Sequence, residues 1–145
     1  MAGRGESEHQ NECERVTGAH SPRSFQSLRS VLHKHAATLI VSEDTSTKYC
    51  LEAPIGPATL RSRGGKARSA RIPVGWVEVG KSYVSYHLMG IAVPSVQAGM
   101  TKGLKARMQG KTCFNFTVAD PTLLTELDSL TAASITAFKK AGFTA

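Results

Sequence analysis

From Lys48 to Val118 the strand-like runs follow one another with no long helix between any two of them. A parallel, doubly wound sheet needs a crossover of a dozen or more residues, usually a helix, between neighbouring strands. No long helix separates successive strands here, which argues against a Rossmann-type fold. The pattern predicts an α+β fold: an antiparallel sheet packed by an N-terminal and a C-terminal helix.

The strands differ in clarity. Lys48–Glu52 reads as a strand ended by Pro54, Gly56 and Pro57. Val74–Val79 and Ser82–Met89 read as a hairpin joined at Gly80-Lys81, a glycine-first link suited to a type II′ turn. In its second strand, Val84, Tyr86 and Leu88 share one face, and Tyr83, Ser85, His87 and Met89 the other. Both faces carry bulk, which predicts a central strand covered in part on each side. Cys113–Val118 alternates, with Phe114, Phe116 and Val118 on one face.

Helices flank these runs. Ser24–Thr38 carries Phe25, Leu28, Val31, Leu32 and His35 at spacings of three and four, with Ser24 as its cap. Leu39–Val41 continues as a short apolar run, and Ser42–Thr47 reads as a loop. Pro94 to Gly110 suggests one or two short helices. The last helix has Asp120 as N-cap, Pro121 at its first position, Leu123, Leu124, Leu127, Leu130, Ile135 and Phe138 as its apolar stripe, and Gly142 as terminator.

The chain has 145 residues, enough for one domain with a buried core. Residues 1–23 are polar and charged, rich in Gly and Glu, and lack the apolar segment of a signal peptide. They read as a disordered tail before a single domain over 24–145. No run of about 18 apolar residues suggests a spanning helix. Cys13, Cys50 and Cys113 match no metal-ligand spacing. They read as reduced thiols of a cytoplasmic protein, with Cys50 and Cys113 as small core residues.

Net charge is +7 and the pI about 9.6, a balance that favours anionic partners. Within Ala58–Arg71 the charges are Arg61, Arg63, Lys66, Arg68 and Arg71, with no acidic residue among them and Gly64-Gly65 in their midst. This is a basic loop or hairpin arm. A second basic stretch holds Lys102, Lys105, Arg107 and Lys111. Together they suggest weak, sequence-independent nucleic-acid binding if both lie on one face. Few aromatics accompany them, so a solvated loop explains the charges better.

No catalytic constellation emerges: there is no G-x-S-x-G, no H-E-x-x-H and no paired cysteine motif. Gly64-Gly65-Lys66 lacks the first half of a P-loop. His33 and His35 are two apart, so a helix points them to different sides and they cannot share a metal. His87 shares its face with Tyr83 and Ser85, a row suited to lining a pocket or to holding one hydrogen-bonded histidine. Adding Arg107 and Asn115 gives a candidate ligand-binding set of Tyr83, Ser85, His87, Arg107 and Asn115. The expectation is a non-catalytic binding module for a small anionic ligand or a protein partner, with no cofactor and no metal site.

Tyr83–Met89, Leu104–Lys111 and Cys113–Phe116 resemble a set of small uncharacterised bacterial proteins near the YdhG-like domains. The resemblance spans residues 24–143 and implies a frataxin-like two-layer α+β sandwich. Some YdhG-like proteins are described as frataxin-like iron chaperones, so it also implies iron handling. Frataxins use acidic residues on the first helix and the adjoining strand edge. Here that helix carries Arg29, His33, Lys34 and His35 and no acid, with Glu43 and Asp44 following, so no iron ligand is carried over. The basic stretch before Trp76 is also longer than in those relatives.

Overall fold

A computed structural model describes residues 22–65, 69–118 and 120–145. The expected tail lies outside these residues, apart from Pro22 and Arg23, which open the first helix. In chain order the elements are α1 (Pro22–His33), a 3-10 turn (Ala36–Thr38), β1 (Ile40–Asp44), β2 (Lys48–Pro54), α2 (Pro57–Ser62), β3 (Arg71–Val79) and β4 (Val84–Leu88). A second 3-10 turn (Met89–Ala92), α3 (Pro94–Ala98), α4 (Lys102–Lys105), β5 (Cys113–Phe116) and α5 (Pro121–Lys140) complete the chain.

The five strands form one antiparallel sheet in the order β1-β2-β3-β4-β5. Its inner face carries Tyr49, Leu51, Val77, Val84, Tyr86, Leu88, Phe114 and Phe116, all buried in one core with Phe25, Leu28 and Leu32 of α1 and Leu127 and Leu130 of α5. The α+β class is therefore observed, with both terminal helices contributing to the core. Tyr86 is fully buried, and its hydroxyl lies 2.7 Å from Thr131 Oγ1 on α5. Thr131 donates its own proton to the Leu127 carbonyl at 2.7 Å, so the tyrosine donates to the threonine. Burial pushes the phenol far above its ordinary value, and this bond satisfies a group that would otherwise cost about 1–3 kcal/mol.

The helix signals at α5 act as read. The Asp120 side chain accepts from the Thr122 N–H at 2.8 Å, Pro121 occupies the first turn, and Gly142 takes a φ of +89° past the end. Five expectations need correction. Ser24 sits inside α1 and is buried, so it does not cap the helix. The apolar run at Leu39 does not end in a loop: Ile40–Asp44 is edge strand β1, with a bulge between Val41 and Glu43. Its Ser, Glu and Asp suit an exposed edge, where charge discourages further pairing. The β3–β4 link runs from Gly80 to Tyr83, because the ladder closes at Val79↔Val84. Gly80 does not take a positive φ, which a type II′ turn requires at its first position. Pro57–Ser62 is a short helix, with the chain turning at Gly64 and Gly65 (φ +68° and +78°). Finally, β5 ends at Phe116, and Val118 is 67% exposed.

A bulge in β3 shapes the second, smaller core. Leu51 pairs with Gly75 and Glu52 with Pro73, leaving Val74 as the extra residue. Val74 and Gly75 are both buried, so the inward parity shifts by one. Ile72 and Val74 thereby join Ala53, Phe138, Met89 and Phe143, while Trp76 takes the outer face. The chain's last residues close this region: Gly56 N–H donates to the Phe143 carbonyl at 2.9 Å, and Ala145 N–H to that of Pro54 at 2.9 Å.

Candidate functional site

The register aligns outward-facing side chains in two rows across four strands. One row runs Cys50, Trp76, His87, Cys113; the next runs Lys48, Glu78, Ser85, Asn115. Trp76 and His87 are directly opposed, and their rings stack with centroids 4.3 Å apart and planes at 10°. His87 Nε2 lies 3.3 Å from Ser85 Oγ and 3.6 Å from Cys113 Sγ. Cys113 Sγ lies 3.5 Å from Asn115 Oδ1, and Ser85 Oγ donates to the Glu78 carbonyl at 3.3 Å.

The charges around this centre are largely paired. Lys48 Nζ is 3.5 Å from Glu43, and Arg71 Nε is 3.3 Å from Glu52. With Ser42, Cys50, Pro73, Trp76 and Glu78 they line a shallow open groove of about 520 Å³.

Burial sets the protonation of the central groups. It lowers the His87 imidazole below its ordinary value, against a weaker opposing pull from Glu78 and a weaker further push from Lys48. It raises the Cys113 thiol. Both groups therefore favour their neutral forms, and Cys113 is a thiol rather than a thiolate. A nucleophilic cysteine needs the opposite, a cationic neighbour that stabilises the thiolate. The cluster can donate and accept hydrogen bonds and offer an aromatic surface, but its cysteine is not activated.

Three of the five residues picked from the sequence meet here: Ser85, His87 and Asn115. Tyr83 is exposed in the link before β4. Arg107 reaches this region through its backbone alone, its carbonyl accepting from the Asn115 N–H at 2.9 Å, while its side chain is exposed. Trp76, Glu78 and the cysteines belong to the face as well. Cys50 is buried, as expected, although its place in the register is on the outer side of the sheet, whereas Cys113 is only half-buried on that side and is not the core residue expected. The alternation in Cys113-Phe114-Asn115-Phe116 carried the signal, because it sets Cys113 beside Asn115 and opposite the two phenylalanines.

The other candidates are dispersed. His33 Nδ1 lies 2.7 Å from the Tyr49 hydroxyl and His35 Nε2 lies 2.7 Å from Asp128, so each has its own partner. Arg61 is exposed on α2, Arg63 Nη1 reaches the Ser69 carbonyl at 3.5 Å, and Arg71 faces Glu52. Lys66 and Arg68 lie outside the described residues. Lys102, Lys105 and Lys111 are exposed. Among the described residues no three His, Cys, Asp or Glu side chains gather as a metal-binding group, and no helix is long and apolar enough to cross a membrane. No protein-family model, curated protein or solved structure matches this chain.

Proposed function

We propose that the chain is a non-catalytic binding module that presents the outer face of its sheet to a protein partner. The observation that carries this is the Trp76–His87 stack at the centre of the face, ringed by Lys48, Glu43, Arg71 and Glu52 already in ion pairs. Protein interfaces concentrate their energy in central aromatic side chains and surround them with a polar rim that excludes water. A small anionic ligand fits this face less well. Burial keeps His87 neutral, and Lys48 and Arg71 each stand beside a carboxylate, so little net positive potential remains. Nucleic-acid binding through residues 61–71 and iron handling have no observation of comparable specificity behind them. The frataxin-like two-layer reading of the fold is supported by the shared burial of α1 and α5 against the sheet's inner face.

The test uses a photo-crosslinking residue in place of Ser85 in the full chain, with cross-linked proteins identified by mass spectrometry. A discrete partner is expected, captured by the parent and lost on Trp76→Ala, but retained by the distant Lys139→Ala variant. If no discrete partner appears and phosphorylated metabolites instead quench the chain's single tryptophan, the face binds small anions and the protein-partner reading fails.

A further inference from the structure

A second concave site lies away from the outer face and does not depend on the reading above. A pocket of about 530 Å³ opens between α2, Ile72, the Met89–Pro94 segment and the end of α5. Its walls are Ile72, Met89, Val93, Phe138 and Phe143, with Thr59, Ser62 and Arg63 as the principal polar groups. Phe138 and Phe143 stack at 5.1 Å and 19°. Ile72, Met89 and Phe143 belong to the smaller core yet are only partly buried, so this core is open on one side.

The polar groups divide sharply. Thr59 Oγ1 donates to the Phe143 carbonyl at 2.6 Å and Ser62 Oγ to the Thr59 carbonyl at 2.8 Å, so both hydroxyl protons are committed within the fold. Arg63 is half-buried, and among the described residues its side chain reaches the Ser69 carbonyl at a long 3.5 Å. Among the described residues no carboxylate lines the pocket and none forms an ion pair with Arg63. Apolar walls with one uncompensated guanidinium specify a ligand of matching polarity: an apolar body with one anionic group.

We propose that this pocket binds an amphiphilic monocarboxylate, its carboxylate on Arg63 and its apolar body over Phe138, Phe143, Met89 and Ile72. A guanidinium fits a planar carboxylate with two parallel hydrogen bonds. A phosphate dianion would call for a second cation, and among the described residues the lining supplies none. The chain's own first 21 residues are a poor occupant, since Val16 and Met1 are their only large aliphatic side chains and four glutamates accompany them. The pocket volume falls within the range of about 300–1,000 Å³ usual for small-molecule sites.

The test is titration of the full chain with decanoate, decanol and decylamine, read by methyl NMR and calorimetry below the micellar range. Decanoate is expected to shift the methyls of Ile72, Met89 and Val93 saturably and to bind more tightly than the other two. Arg63→Gln should weaken decanoate about tenfold or more, the scale of a lost charge-assisted hydrogen bond. It should leave decanol binding unchanged, and Arg61→Gln, one residue from Ser62 on α2, should change neither. Equal shifts from all three compounds, or none from any, overturn the proposal. Co-sedimentation with phosphatidylglycerol vesicles without decanoate-induced shifts assigns the site to a lipid surface and overturns it too. So do methyl shifts that follow protein concentration alone, which would put a second copy in the pocket.

Discussion

The imidazole of His87 lies flat on the indole of Trp76, ring centres 4.3 Å apart, while its Nε2 faces the hydroxyl of Ser85 and the thiol of Cys113. This one side chain thus joins three strands of the outer face: β3 through the stack, β4 through its own backbone, and β5 through the sulfur.

The position of His87 makes stability depend on pH. Burial holds its folded-state pKa below the unfolded value of about 6.5. When pH falls through 6.5 the unfolded chain takes up a proton that the folded chain does not, so stability is full above that pH and is lost on acidification towards the lowered folded value. Glu78 and Lys48 also act on the ring, and Cys113 touches it. His87→Phe keeps an aromatic ring on Trp76 and removes the titration. Urea melts at pH 7.5 and 5.5 should show a smaller loss for the variant than for the parent. Equal losses in both would assign the acid sensitivity elsewhere.

The Tyr86–Thr131 bond ties β4 to α5. Thr131→Val keeps the shape but leaves the Tyr86 hydroxyl buried without its acceptor. The expected cost is about 1–3 kcal/mol. Adding Tyr86→Phe removes the stranded hydroxyl, so the double variant should recover part of that loss. A double-mutant cycle from urea unfolding measures the coupling, and strictly additive single effects would contradict the direct bond.

Gly90 rests against α5 at Ser134. A Cβ at position 90 would fall well inside contact distance of the Ser134 carbonyl and hydroxyl, so only glycine fits. Gly90→Ala should cost on the order of 1–3 kcal/mol, the scale of overpacking. The Ser134 hydroxyl is buried and has no hydrogen-bond partner among the described residues. Ser134→Ala should therefore leave the melting temperature unchanged or raise it. A marked loss on Ser134→Ala would reveal a partner for that hydroxyl.

The sequence revealed what local chemistry decides. Asp120, Pro121 and Gly142 bound α5 because capping and positive φ are properties of single residues. The alternation in Val84–Leu88 and Phe114–Phe116 sorted these side chains into the two faces that the sheet shows. What escaped depends on pairing between distant strands. Ser42–Asp44 is polar throughout and reads as the start of a loop, yet it completes strand Ile40–Asp44 because β2 supplies the hydrogen bonds. Val74 and Gly75 both point inward because of a bulge that exists only in the pairing with β2. Trp76 reached the outer face by that bulge, and Cys113 met His87 by register, so half of the outer-face cluster was hidden until the ladder was known. The apolar pocket was less legible still, since it joins residues 59 to 143 from separate elements.

The architecture stands or falls on Leu127. It lies on the inner side of α5 with no exposed surface, in one core with Tyr86, Phe114 and Phe116. Truncation to alanine removes the transfer free energy of the lost methyls and leaves a cavity between helix and sheet, a combined cost of about 2–5 kcal/mol. A domain of this size has about 5–15 kcal/mol of stability in all, so the midpoint of urea unfolding should fall sharply with little change in slope. Val118 offers the control. It is of similar chemistry and only nine positions away, but 67% exposed, and Val118→Ala should change stability by less than about 0.5 kcal/mol. Melts of Leu127→Ala that coincide with the parent would mean that α5 does not pack its leucine stripe against the sheet.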